Sequence, residues 1–147
     1  MTVSQISVFA QSKPGHLARV LGVFEAAGAN VRGFSVADTG EFGITRFILD
    51  RPDIASAALK DAGFACVETQ VLCLKLDDEP GELARVMGIL AETGVNVLYS
   101  YSMISTYIII ATDDIAATKG ALEAQGFALV RQDDIARASA ARLGSEG

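Results

Sequence analysis

The sequence predicts an α+β fold built from two consecutive β-α-β-β-α-β units. Three observations predict it: an internal duplication, the same alternation of strand and helix periods in each copy, and enough apolar residues for a core. Residues 14–31 and 80–97 are identical at ten of eighteen positions, sharing Pro-Gly, Leu-Ala-Arg-Val, two further glycines and Asn-Val. Such self-similarity sets the architecture before any local reading. Further along, Ala58-Leu59 matches Ala121-Leu122 and Gly63-Phe64-Ala65 matches Gly126-Phe127-Ala128, so the second copy lacks three residues in its middle. With a boundary near Gln70, the expected domains are residues 1–70 and 71–132, followed by a tail over 133–147.

Each copy opens on a strand. Ile6, Val8 and Ala10 alternate with polar or exposed positions, as Leu72, Leu74 and Leu76 do in the second copy, which is the period of a half-buried strand. Pro-Gly then starts a helix, with proline in a first-turn position that has no hydrogen bond to lose. Leu17, Val20, Leu21 and Phe24 follow helical spacing, and Leu83, Val86, Met87 and Leu90 repeat it. Gly28 and Gly94 fall where a helix end takes a left-handed residue, while the mid-helix Gly22 and Gly88 predict close helix packing. Two strands follow, about Val31–Ala37 and Ile44–Leu49 in one copy and Val97–Met103 and Tyr107–Thr112 in the other. A second helix starts near Asp53 and near Asp114, with aspartate as N-cap. The last strands are Phe64–Thr69 and Phe127–Gln132. This order is the ferredoxin-like one, four antiparallel strands with both helices on one face. The near-absence of a linker at Gln70 predicts that the units lie side by side.

Composition narrows the function. Half the residues are hydrophobic and a fifth charged, which suits a folded chain, and the net charge of −6 argues against sequence-blind binding to nucleic acid. No apolar run reaches the roughly 20 residues that span a bilayer, and no signal peptide is visible at the N-terminus. Cys66 and Cys73 are too few for a disulfide scaffold, so the expected setting is cytoplasmic, with reduced thiols. No histidine or CxxC accompanies them, so they predict small buried side chains, facing opposite sides if their strands are continuous, and no metal site. His16 is the only histidine, either an exposed first-turn residue or a ligand contact, and no catalytic arrangement surrounds it. No glycine-rich phosphate loop occurs, and nothing calls for a cofactor.

The two Pro-Gly loops are the informative feature. Gln11-Ser12-Lys13-Pro14-Gly15-His16-Leu17 and Asp77-Asp78-Glu79-Pro80-Gly81-Glu82-Leu83 each join a strand to a helix N-terminus. They read either as well-made helix starts or as carboxylate or phosphate sites, in which glycine lets a ligand approach the backbone. Asn30 and Asn96 read either as turn residues or as amides aimed at a ligand.

The duplicated Lys13-Pro14-Gly15-His16-Leu17 with Gly28-Ala29-Asn30-Val31, and Glu79-Pro80-Gly81-Glu82-Leu83 with Gly94-Val95-Asn96-Val97, resembles the ACT domain. The resemblance spans about residues 2–132 and looks like the stand-alone tandem-ACT proteins of bacteria. It implies a continuous eight-stranded antiparallel sheet with helices on one face. It also implies allosteric binding of a small molecule, most often an amino acid, at the interface between domains. By position it implies ligand contacts from Ser12, Lys13, Gly15, His16 and Leu17, from Asp78, Glu79, Gly81, Glu82 and Leu83, and from Asn30 and Asn96. Ser12 departs from the asparagine or aspartate common there. The first loop, with Ser12 and Lys13, favours an anion, whereas the acidic second loop suits an ammonium group or solvent. The alternative to an amino-acid-binding regulator is a ligand-independent interaction module docking on a metabolic enzyme or regulator; a hydrolase on this fold class lacks a constellation. An aromatic such as Phe9 on the helix-free face predicts a homodimer.

Overall fold

The structure is a computed structural model that describes residues 2–11, 13–38, 42–103 and 107–137. Ten named elements follow the predicted order: β1 (Val3–Gln11), α1 (His16–Ala27), β2 (Val31–Asp38), β3 (Phe42–Leu49), α2 (Pro52–Asp61), β4 (Ala65–Lys75), α3 (Glu82–Thr93), β5 (Val97–Ser102), β6 (Tyr107–Thr112) and α4 (Ile115–Ala124). The chain divides into two compact units, one holding Ser4–Gln70 and the helical residues 132–137, the other residues 2–3 and Val71–Arg131. Strand order is β2-β3-β1-β4 through the first copy and β4-β6-β5 through the second.

Among the described residues six strands form where eight were expected. The last strand of the first copy and the first strand of the second are one element, β4. The stretch Glu68-Thr69-Gln70-Val71 contains no glycine, proline, asparagine or aspartate, so nothing in it turns the chain. The predicted strand Phe127–Gln132 is reduced to a single bridge, Leu129 opposite Leu74, beside a bond from the Val130 N–H to the Cys73 carbonyl (2.7 Å). From Gln132 the chain is helical instead. Gln132 Oε1 accepts from the Ser4 N–H (3.0 Å) and its Nε2 donates to the Leu49 carbonyl (3.1 Å).

Each copy buries its own core between helices and sheet. In the first, Ile6, Val8, Phe47 and Leu49 meet Val20, Phe24, Ala55 and Leu59. In the second, Leu72, Leu74, Ile108 and Ile110 meet Val86, Leu90 and Leu122. The helical spacing read from the sequence is therefore sound at its centre, although Leu21 and Leu83 stay exposed. The strand alternation is not a burial alternation. Gln5 and Ser7 are as buried as Ile6 and Val8, so β1 is covered on both faces within the single chain. Among the described side chains of that strand, Phe9 is exposed, at 41%.

Local details correct three further expectations. Pro14 lies in the turn before α1 and not in the helix, whose N-cap is Gly15. Asp53 is not an N-cap either: Arg51 holds that place and Pro52 begins α2, whereas Asp114 does cap α4 by accepting from the Ala117 N–H (3.0 Å). Gly22 and Gly88 sit on exposed helix faces, and a Cβ added at either meets nothing within 4 Å. They are not packing contacts. Replacing each by alanine is expected to raise stability by about 0.5–1 kcal/mol, because alanine loses less backbone entropy in a helix; urea denaturation of the single and double variants checks this.

The cysteines do face opposite sides of the continuous β4. Cys66 packs on the first helix-side core, while Cys73 lies off the second, with its thiol 3.7 Å from Met103 Sδ. Burial pushes the Cys73 thiol from 9.0 up to about 12. It stays protonated and is a poor nucleophile. The stability gained by keeping it neutral is present below about pH 9 and is lost as pH climbs towards 12.

Candidate functional site

Both Pro-Gly loops fold into the same turn. The His16 N–H donates to the Lys13 carbonyl (3.2 Å) and the Glu82 N–H to the Glu79 carbonyl (3.4 Å). Gly15 has φ 84° and ψ −9°, Gly81 φ 91° and ψ −8°, the third-residue geometry of a type II turn with proline before it. This left-handed backbone is why glycine is required. A Cβ at Gly15 or Gly81 meets no protein atom within 4 Å, so the backbone conformation and not a clash within the chain calls for glycine. The first helical bonds follow directly, from Arg19 N–H to Gly15 and from Arg85 N–H to Gly81.

The loop residues then part company. Leu17 packs against the first core and belongs to the fold, whereas Leu83 is 48% exposed and lines a cleft with Asp77, Asp78, Glu79 and Glu82. That acidic cleft measures about 200 Å³. In the first copy a larger cleft, about 380 Å³, is lined by Phe9, Lys13, His16, Arg19, Phe64 and the turn at Ala62-Gly63. His16 stands edge-on to the Phe64 ring, centroids 5.4 Å apart, and its Nε2 is buried with no hydrogen-bond partner. Ser12 lies outside the described residues.

Asn30 and Asn96 are placed elsewhere. Each begins a second strand, at the far end of α1 or α3 from the Pro-Gly turn of its own copy. The Asn30 N–H donates to Asp50 Oδ1 (2.7 Å) and the Asp50 N–H returns a bond to the Asn30 carbonyl (3.1 Å). Asn96 and Asp113 repeat the pattern at 2.9 and 3.1 Å. The aspartates fix the asparagine backbones and leave both residues at the surface. Immediately after, a one-residue bulge interrupts each edge strand, between Val31 and Gly33 and between Val97 and Tyr99.

Sequence reasoning missed Arg19 and Arg85, Phe64 and Phe127, and Asp50 and Asp113. All three pairs are identical at matched places of the two copies, which was the available signal. Arg19 lies over the Phe64 ring (5.4 Å to its centroid) and Arg85 over Phe127 (4.6 Å), both within cation–π range. Among the described residues no three metal-ligating side chains gather.

The same turn, bulge, aspartate clamp and arginine–phenylalanine pair in each copy define a tandem-domain protein. The family described as an ACT domain pair matches residues 1–139, and the chain belongs to that family. A crystal structure of a protein from Bacteroides thetaiotaomicron is 31% identical with a TM-score of 0.88, over 92% of this chain and 96% of that one. The ligand-free regulatory subunit of aspartate kinase from Thermus thermophilus shares the fold, with TM-score 0.62 and 19% identity over 83% of this chain and 89% of that one. The regulatory subunit of aspartate kinase from Thermus flavus does so at TM-score 0.58 and 17% identity, over 82% and 90%. Among curated proteins none matches the chain.

Proposed function

We propose that the chain is a non-catalytic regulatory protein that binds a free amino acid through its pair of ACT domains, residues 1–70 and 71–132, with residues 133–147 as a tail. The observation that carries the reading is the first-copy cleft. At about 380 Å³ it falls within the roughly 300–1,000 Å³ of small-molecule sites, whereas the acidic cleft of about 200 Å³ falls below it. Lys13 and His16 stand at its rim beside the α1 N-terminus, which favours a carboxylate. The first copy thus supplies the principal site. Gly81, Glu82, Leu83, Asp78 and Glu79 form a secondary one, and Asn30 and Asn96 lie at the surface at the far end of α1 and α3 within their own copies. Regulatory subunits of aspartate kinase carry this fold, which supports a metabolic enzyme as the regulated partner, in the cytoplasm. Phe34 and Val36, 56% and 54% exposed on the edge strand β2, favour a homodimer over a monomer.

Screening the twenty amino acids by thermal shift tests the reading. A ligand at a hundredfold excess over its Kd stabilises the folded state by about 2.7 kcal/mol, and each kcal/mol is worth roughly 2–4 °C at this size. One or a few amino acids are expected to raise the Tm by about 5–10 °C. If none does so at millimolar concentration, the chain is the ligand-independent interaction module instead.

A further inference from the structure

The two copies answer the same structural question differently. At equivalent places each carries an arginine over a phenylalanine, Arg19 over Phe64 and Arg85 over Phe127. In the second copy the guanidinium is satisfied from within. Arg85 Nη1 lies 3.9 Å from Glu82 Oε1 and its Nη2 donates to the Gln125 carbonyl (3.2 Å). In the first copy His16 stands where Glu82 does, and Lys13 where Glu79 does. Among the described residues, Arg19 keeps the ring but has neither the carboxylate nor the carbonyl, and Lys13 has no ion pair. His16 adds a buried Nε2 without a partner, and the three side chains line one cleft of about 380 Å³ containing no acidic residue.

We propose that this cleft is an anion site, in which a carboxylate of the bound ligand occupies the place that Glu82 fills in the second copy. The inference rests on the amino-acid reading and narrows it to acidic amino acids. Arg19 supplies a planar donor fork held against Phe64 and Lys13 an exposed ammonium, with His16 beside them in the cleft. The second copy, already neutralised by Glu82 and lined by Asp77, Asp78 and Glu79, rejects the same ligand. A basic amino acid finds three nitrogen-bearing side chains and no counter-charge, and is excluded.

The test uses the whole chain at constant ionic strength, with L-glutamate, L-aspartate, sodium phosphate, L-lysine and sodium chloride as probes. L-glutamate or L-aspartate is expected to raise the Tm above the chloride control, and L-lysine not to. His16→Glu installs an internal carboxylate at the spacing of Glu82 and Arg85, an arrangement the second copy already folds around. It is expected to weaken binding at least tenfold. Glu92→Gln, an exposed change on α3 of the other copy, is expected to leave it unchanged. Should His16→Glu fail to fold, Arg19→Gln carries the same expectation. Full binding by a folded His16→Glu or Arg19→Gln variant overturns the anion site, and the amino-acid reading stands if some amino acid still binds. Stabilisation by phosphate alone, lost in these variants, upholds the anion site and overturns the amino-acid reading. No anion stabilising beyond chloride overturns the site outright.

Discussion

Phe24→Ala is expected to cost the first copy about 3–5 kcal/mol, the usual loss for truncating a buried phenylalanine. Phe24 is 1% exposed, and its ring meets Phe47 edge-to-face at 4.9 Å and 80°. The variant loses both the buried area and the ring pairing, which alone is worth about 0.5–1.5 kcal/mol. The matched change in the second copy, Leu90→Ala, removes a smaller side chain from the core that also holds Ile110, and is expected to cost about 2–4 kcal/mol. Urea denaturation followed by circular dichroism checks both. A loss below about 1 kcal/mol for Phe24→Ala would show that the first-copy core is not packed around this pair.

That aromatic pair also shows what was legible in the sequence. Phe24 was readable as a core position because Leu17, Val20 and Phe24 fall on one helical stripe, and its duplicate Leu90 repeats the position. Its partner Phe47 was readable as lying on a strand, but strand period does not say which face is buried. Along β1 that period misleads, since Gln5 and Ser7 are buried beside Ile6 and Val8. Polar residues in a covered strand leave no apolar pattern to read. The turns were legible in identity, with Gly15 and Gly81 read as room for a ligand, and their backbone adds a requirement for positive φ.

The candidate site was legible in part for a similar cause. Lys13, His16 and the acidic second loop stand out because the copies differ there, and a difference between duplicates is visible in one sequence. Arg19 and Phe64 are the same in both copies, so they blended into the repeat. Only their geometry shows that, among the described residues, one arginine has an internal carboxylate and the other has none. Duplication therefore separates two kinds of residue. Shared ones build the platform, as the arginine over its ring does, and divergent ones, such as His16 against Glu82, decide what each platform holds.

The C-terminal segment is where sequence reading found least and where a large effect is expected. The double variant Gln132→Ala with Ile135→Ala should destabilise the chain by roughly 3–6 kcal/mol. Gln132 bridges the start of β1 and the end of β3, accepting from the Ser4 N–H and donating to the Leu49 carbonyl. Removing the carboxamide leaves both backbone groups without that partner, at about 1–3 kcal/mol when such groups stay buried. Ile135 is 5% exposed, and its truncation alone is expected to cost about 2–4 kcal/mol. Arg137→Ala serves as the control: its pairing with Asp134 is an exposed ion pair, worth about 0–1 kcal/mol. Denaturation midpoints for the two single variants, the double variant and the control check the expectation. A double variant as stable as the control would mean that residues 132–137 are an appendage to the first copy. The expected loss would make them a structural part of it, taking a place the missing eighth strand does not fill.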